Sequence, residues 1–142
     1  MDPANSILKA VVAALKADSV LAGMVGTKIF DRPPHRDGEP DVPSPYISLG
    51  QHDTNTEERA ECLDLVSVTF QVDVWSWGTG DAYHREEAGN IASAVRRVLD
   101  MRHVEFTGGS ADIYHRQTRF LRDPDGTNHM AITLEADADV TG

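Results

Sequence analysis

The chain of 142 residues carries 23 aspartates and glutamates against 13 lysines and arginines, which gives a formal net charge of −10 at pH 7. Its length and its 40% apolar content suffice for one ordinary hydrophobic core, so we expect a single domain over residues 1–142. The negative charge disfavours nucleic-acid binding that depends on neutralising phosphates. The single cysteine, Cys62, cannot form an internal disulfide.

The first element is predicted to be an amphipathic helix over residues 3–17. Asp2 is a helix-capping residue, and Pro3 is favoured at the first helical position. Apolar residues follow at helical spacing: Ile7, Leu8, Val11, Val12 and Leu15. Asp18 then caps a second, short helical segment that ends near Gly26.

The stretch that follows is expected to be mostly irregular. Residues 31–45 contain five prolines interleaved with charged residues, which predicts an extended, solvated loop. Residues 46–49 alternate between apolar and polar side chains and predict a short strand that Gly50 stops. Residues 51–64 are almost wholly polar and rich in acids, which predicts a long exposed connection.

The clearest strand is predicted over residues 65–75. Its apolar side chains alternate with polar ones, so one strand face belongs to the core: Val66, Val68, Phe70, Val72 and Val74. Asp81 is a candidate cap for a helix that follows from Tyr83 and ends at Leu99. This central helix has about five turns and an apolar stripe, so it is expected to pack on the sheet.

The C-terminal third predicts a short strand around residues 104–106 and then a hairpin. The arms cover residues 111–122 and 127–136, and the turn between them is DPDG at 123–126, where proline presets φ and glycine accepts a positive φ. The order of elements predicts an α+β fold. Its mainly antiparallel sheet carries the N-terminal helix and a long central helix on one face.

The sequence shows no pattern typical of catalysis or metal binding. No two of the six histidines have the i, i+4 spacing that places two metal ligands on one helix face. Counting outward from the hairpin turn places His129 opposite Phe120, several residues from His115. The glycines at 78 and 80 lack the rest of a phosphate-binding loop. We therefore expect no catalytic, cofactor-binding or metal-ligating residues, no cofactor, and a protein that is not an enzyme.

Features that suit binding to other proteins are more evident. Trp75 lies on the polar strand face, with Trp77 two residues further on, and such aromatics either bind a partner or pack under a local loop. Long loops such as 31–45 and 51–64 are often functional. The candidate interface residues are Pro33, Pro34, His35, Arg36, Asp53, Glu57, Glu58, Arg59, Trp75 and Trp77.

Four segments in order carry a resemblance to a known family. They are KIFDRP (28–33), PYISLG (45–50), VTFQVDVWS (68–76) and FLRDPDG (120–126), with His129 downstream. With them, the chain resembles the small tail-completion proteins of long-tailed phages and gene transfer agents. The resemblance implies an α+β subunit without catalytic residues, which assembles as a ring, usually a hexamer, between the last tail-tube ring and the head connector. The proline-rich segment 34–43 is longer than the link usual in that family.

The functional hypothesis is therefore a virion structural protein, a tail terminator at the head–tail junction that is synthesised in the bacterial cytoplasm. Its expected partners are further copies of itself, the major tail-tube protein and the head–tail connector protein, with no membrane. The acidic charge either serves solubility or lines a ring through which DNA passes without specific binding. Two alternatives remain open: a head-side connector or stopper protein, and a cytoplasmic α+β ligand-binding or regulatory domain.

Overall fold

The computed structural model describes residues 2–60, 63–77 and 85–140, without the side chains of residues 57–60, 63 and 64. The helices are α1 (Pro3–Ala17), α2 (Ser19–Val25) and α3 (Arg85–Leu99). The strands are β1 (Ile29–Phe30), β2 (His35–Arg36), β3 (Glu39–Pro40), β4 (Tyr46–Ala60), β5 (Leu63–Ser76), β6 (Arg102–Phe106), β7 (Gly109–Arg122) and β8 (Asn128–Val140).

Two long hairpins form the centre of the main sheet. In the parts of the chain that the structure describes, the main sheet has six strands in the order β1-β4-β5-β8-β7-β6, and β2 and β3 form a separate small hairpin. β1 pairs with β4 in parallel, whereas every other pair in the main sheet is antiparallel. The β4–β5 hairpin and the β7–β8 hairpin are joined by pairing of β5 with β8 along their lengths. The predicted α+β class with a mainly antiparallel sheet is confirmed.

The N-terminal helices begin and end where their capping residues predict. The Asp2 side chain accepts a hydrogen bond of 3.0 Å from the Ala4 backbone N–H, which satisfies a donor that the first helical turn leaves unpaired. The Asp18 side chain caps α2 in the same way, because it accepts a hydrogen bond of 3.0 Å from the Leu21 backbone N–H. Gly26, with φ of 62°, ends α2 in a conformation that side chains disfavour.

The hydrophobic core lies between one face of the sheet and the helices. α3 contacts β5, β7 and β8, and α1 contacts β1, β6 and β8. The predicted core face of β5 is buried from Val68 to Val74, and Val66 is partly buried against it. The largest fully buried side chains include Ile7, Leu15, Phe70, Ile91, Leu99, Ile132 and Leu134. The described part of α3 has 15 residues, as many as α1, and the predicted helix start at Asp81 and Tyr83 lies outside the described residues.

The predicted stop at Gly50 and the predicted connection over 51–64 are wrong, because β4 continues to Ala60. Backbone pairing with β5 stabilises the strand although its side chains from Gln51 to Thr56 are exposed and polar. A bulge between Leu49 and His52 carries the strand past Gly50. A Cβ on Gly50 would lie 2.7 Å from Asp73 Oδ2, so this glycine marks a close approach to β5 instead of a strand end.

The proline-rich stretch is exposed as predicted, but it is not wholly irregular. It contains the β2–β3 hairpin, whose turn is Asp37-Gly38. Both turn residues have positive φ, 53° and 81°, as a two-residue hairpin turn requires. The Asp-Gly pair is a strong short-range hairpin pattern, and the density of prolines concealed it in the sequence.

The second predicted hairpin is confirmed, with a one-residue correction in register. His129 pairs with Leu121 instead of Phe120. The loop has five residues, 123–127, instead of four, because Arg122 pairs with Asn128, and the Asp123 N–H closes it by donating to the Thr127 carbonyl at 3.0 Å. β8 also continues to Val140, four residues past the predicted end.

Candidate functional site

Three aromatic side chains form a row across one end of the sheet face that is opposite α1 and α3. Tyr46 of β4 pairs with Trp75 of β5, which pairs with His129 of β8. Side chains alternate along a strand, so all three lie on the face opposite the buried valines of β5. The Trp75 ring stacks on the His129 ring at 3.9 Å between centroids and on the Tyr46 ring at 6.3 Å.

Polar contacts hold this aromatic row in place. The Trp75 indole Nε1 donates to Ser48 Oγ at 2.9 Å. His129 Nε2 donates to Asp73 Oδ1 at 2.6 Å, and Gln71 Nε2 donates to the same oxygen at 2.7 Å. Asp73 is only 5% exposed, and two donors compensate its carboxylate for the loss of water. The row is therefore preorganised by contacts between three strands.

The His129–Asp73 pair resembles the base-orienting pair of hydrolytic enzymes, but its surroundings do not suit catalysis. Trp75 covers the imidazole ring, and the hydroxyl of Ser48 already accepts from that same tryptophan. The hydroxyl of Ser76 lies on the other strand face and donates to Glu87. Within residues 2–60, 63–77 and 85–140, no group of three His, Cys, Asp or Glu side chains could hold a metal ion. The aromatic row and its polar contacts can hold neighbouring strands together and present aromatic surface.

A cavity of about 420 Å³ lies beside the aromatic row, and we call it the aromatic cavity. Its lining comes from β3, the start of β4, the end of β5 and the β7–β8 turn: Glu39, Pro40, Tyr46, Trp75, Trp77, Asp123, Asp125 and Thr127. Trp77 is 38% exposed, and its ring meets the Tyr46 ring edge-on at 6.1 Å. The Ser44 hydroxyl accepts from the Trp77 backbone N–H at 2.9 Å and so anchors this tryptophan.

The electrostatics of the aromatic cavity combine neutral rings with carboxylates. Burial raises the pKa of Tyr46, and the nearby charge of Asp73 raises it further, so the phenol stays neutral. Hydrogen bonds from Thr127 lower the pKa of Asp125, and its Oδ1 accepts from the Thr127 backbone N–H at 2.9 Å. Asp125 is therefore held in position as an anion at the rim.

The other end of the same sheet face is acidic. Asp112 of β7 is directly opposite Asp137 of β8, and Asp139 lies two residues further along β8. Asp112 also accepts from His103 Nδ1 at 2.7 Å, which raises the pKa of His103. The pairing of two like charges across strands costs stability. His103 beside Asp112 offsets part of that cost, and so does Arg116, whose pKa is raised chiefly by Glu135 and also by Asp137. We call Asp112, Asp137 and Asp139 the acidic end of the sheet.

The structure brings together some of the predicted interface residues and separates others. Trp75 and Trp77 both line the aromatic cavity, with Trp75 packed within its own sheet and Trp77 more exposed. Pro34, His35 and Arg36 are exposed in or beside the β2–β3 hairpin, and Pro33 is partly buried. His35 Nδ1 is 2.7 Å from the Pro33 carbonyl oxygen.

The acidic half of the predicted interface lies elsewhere on the molecule. Asp53 pairs with Thr69 on β5, six residues from the position of Trp75, and is exposed. The side chains of Glu57, Glu58 and Arg59 lie outside the described residues, although their backbone belongs to β4. The candidate residues therefore belong to two separate parts of the molecule, the aromatic cavity and the distal part of the β4–β5 hairpin.

Several residues of the aromatic row and of the aromatic cavity were not predicted from the sequence. Tyr46, Glu39 and His129 meet the tryptophans only through strand pairing and the position of the β2–β3 hairpin. Asp123 and Asp125 were explained by the hairpin turn alone. The one available pattern was the alternation in residues 46–49, which places Tyr46 opposite the core-facing Ile47.

The fold defines a class, that of a small α+β protein with a mainly antiparallel sheet and helices on one face. The chain matches the family model of tail completion protein gp17 over residues 9–137, and it belongs to that family. The resemblance inferred from the four sequence segments is thereby confirmed. A comparison with curated proteins gave no match.

The fold is shared with a chain of a solved particle, the "Virion of native gene transfer agent (GTA) particle". The two chains are 22% identical, the similarity covers 96% of each, and the TM-score is 0.80. As a member of the tail-completion family, the protein is a structural protein of the tail and not a member of an enzyme family. This assignment favours a virion protein over the alternative of a cytoplasmic ligand-binding or regulatory domain. None of the described helices is long and apolar enough to cross a membrane.

Proposed function

We propose that this protein is a tail terminator, which caps the tail tube and forms the joining ring to the head. The family match over residues 9–137 carries the proposal. Its place is the head–tail junction, its assembly is a homohexameric ring, and its partners are the major tail-tube protein on one side and the head–tail connector protein on the other.

The free edge of β4 is the proposed lateral contact of the ring. Of the described strands, only β1 pairs with the outer edge of β4, at Ile47 and Ser48. The following residues of β4 leave their outward backbone groups available to another chain. A ring that closes by rotation needs two different patches on each subunit, and an edge strand with charged side chains such as Asp53 supplies one of them.

The acidic end of the sheet is the proposed lining of the lumen. Asp112 and Asp137 oppose each other at a cost in stability, and the whole chain carries a net charge of −10. Phosphates are repelled by such a surface, so DNA passes through the ring without specific binding.

Electron microscopy of particles assembled without this protein tests the proposal. A terminator stops polymerisation of the tube, so its loss yields overlong tails or tails unattached to heads, and supplying the wild-type protein restores normal particles. Tails of normal length on complete particles would contradict the terminator role. Tails of normal length beside heads that fail to retain DNA would favour the head-side connector instead.

Charge reversal tests the distal part of the β4–β5 hairpin. Glu57→Lys together with Glu58→Lys is expected to leave folding intact but to yield tails that fail to join heads. The matched control is Lys9→Glu on α1, an exposed reversal on the helix layer, which is expected to give normal particles. Normal particle yields from the hairpin variant would show that this part of β4 makes no essential contact.

A further inference from the structure

The aromatic cavity combines three features that together specify a ligand. Its aromatic lining is formed by Tyr46, Trp75 and Trp77. Its remaining side chains include the carboxylates of Glu39, Asp123 and Asp125. Among the described residues that line it, none is basic. The cavity therefore presents aromatic surface, with Trp77 as its most exposed ring, and negative charge without a cation of its own.

We propose that the aromatic cavity binds an arginine side chain presented by a different protein of the tail particle. A guanidinium group stacks on aromatic rings, and its fork of N–H donors matches carboxylates. The methylene groups of the same side chain pack against apolar surface such as that of Pro40. An apolar ligand would bury carboxylates without compensation, and the described carboxylates do not cluster closely enough for a metal ion.

The cavity is built to keep this shape before a partner arrives. Trp75 is held by its hydrogen bond to Ser48 and by the stacked ring of His129. Trp77 is anchored through Ser44, and Asp125 is fixed by the backbone N–H of Thr127. Groups that are already ordered lose less entropy on binding.

Charge decides between a second copy and a different protein as the source of the arginine. Each copy carries a net charge of −10, so the contacts between copies at the edge of β4 already have to overcome a long-range repulsion, which a partner that supplies positive charge does not meet. A partner that presents arginines is attracted to the same surface. This inference deepens the proposed function, because it takes the partner to be a neighbour in the particle, whether that neighbour is the tube or the connector.

Titration of the purified full-length protein with two small probes tests the proposal. Nα-acetyl-arginine amide is compared with Nα-acetyl-citrulline amide, which has nearly the same shape but no charge. We expect the arginine probe to shift the indole N–H NMR signals of Trp75 and Trp77 in a saturable manner. The citrulline probe is expected to bind about fivefold more weakly or worse, since it loses both the cation–π contact and the ionic contact.

Variants connect the response to the lining residues. Asp125→Asn keeps a side-chain oxygen for Thr127, and Glu39→Gln keeps the length of its side chain. Each is expected to weaken binding of the arginine probe about two- to fivefold. The control Glu105→Gln makes the same charge change on β6, where the side chain is 83% exposed and lies outside the cavity lining, and should change nothing.

Three results would overturn the inference. They are equal binding of the two probes, the absence of a saturable shift, and an equal effect of Glu105→Gln and Asp125→Asn. Sedimentation of the purified protein tests the other possible occupant, a second copy of the chain. If the wild type self-associates and Asp125→Asn abolishes that association, the cavity binds a second copy and the proposal is wrong. All of these results leave the terminator role standing, because that role depends on particles assembled without the protein.

Discussion

Asp73→Ala tests whether the contact between Asp73 and His129 holds the aromatic row together. The Asp73 side chain is 7% exposed, and its carboxylate accepts from His129 Nε2 at 2.6 Å and from Gln71 Nε2 at 2.7 Å. Removing it leaves the His129 donor, in a side chain only 13% exposed, without its acceptor. Gln71 is only partly buried and can turn toward water.

The expected loss of stability comes from His129, the one donor that cannot reach solvent freely once the carboxylate is removed. A hydrogen bond to a charged group contributes about 1.5–3 kcal/mol, so the free energy of unfolding should fall by about 2–3 kcal/mol, with the Gln71 contact adding little. For a domain of this size, that loss lowers the Tm by roughly 6–9 °C. Urea unfolding followed by circular dichroism measures it, with an unchanged m-value as the sign that the folded state stays compact.

Two further variants make the result interpretable. Asp73→Asn keeps an acceptor oxygen for His129 and should cost less than half as much. His129→Phe keeps a ring over Trp75 but removes the donor, so the double-mutant cycle of Asp73→Ala with His129→Phe should show a coupling energy of about 1–2 kcal/mol. If Asp73→Ala unfolds within about 0.5 kcal/mol of the wild type, or if the two changes are additive, the pair does not stabilise the row.

Three other variants probe the scaffold. Gly109→Ala should lower the free energy of unfolding by about 1–3 kcal/mol in urea titrations, because a Cβ there collides with a backbone carbonyl of β8. The control Gly89→Ala, on α3 with nothing within 4 Å of the added Cβ, should raise the free energy of unfolding by about 0.5–1 kcal/mol. A change of the same sign in both variants would refute the steric explanation for Gly109. His103 has a pKa raised chiefly by Asp112, so its contribution is present below the ordinary pKa of about 6.5 and is lost as pH rises through the folded-state pKa. Thermal melts of His103→Gln should therefore show a lower Tm than the wild type at about pH 5.5 and an equal one at about pH 8.5, whereas a constant difference would contradict this. Asn128→Leu should raise the free energy of unfolding by about 1–2 kcal/mol, because the buried Nδ2 and Oδ1 have no hydrogen-bond partner among the described residues; a loss of stability would show that the amide is satisfied after all.

Local chemistry determined the elements that were predicted correctly. Asp2 and Asp18 cap helices through their own neighbours in the chain, so a short stretch of sequence contains the whole interaction. The alternation in β5 has the same property, because each apolar side chain marks the buried face by its own position. The family resemblance was also visible at this level, since it depends on the order of four short segments, and the family match confirmed it.

Contacts between distant segments decided the length of β4 and the presence of the aromatic cavity. The polar residues of β4 have no apolar alternation, and they form a strand because β5 supplies hydrogen-bond partners for their backbone. The aromatic row needs strand register to align Tyr46, Trp75 and His129. The cavity beside it needs the β2–β3 hairpin and the β7–β8 turn to bring carboxylates beside the rings. The helix caps and the core face of β5 followed from the sequence because their energies are local. The shape of the binding surface did not, because it arises where segments far apart in the chain meet.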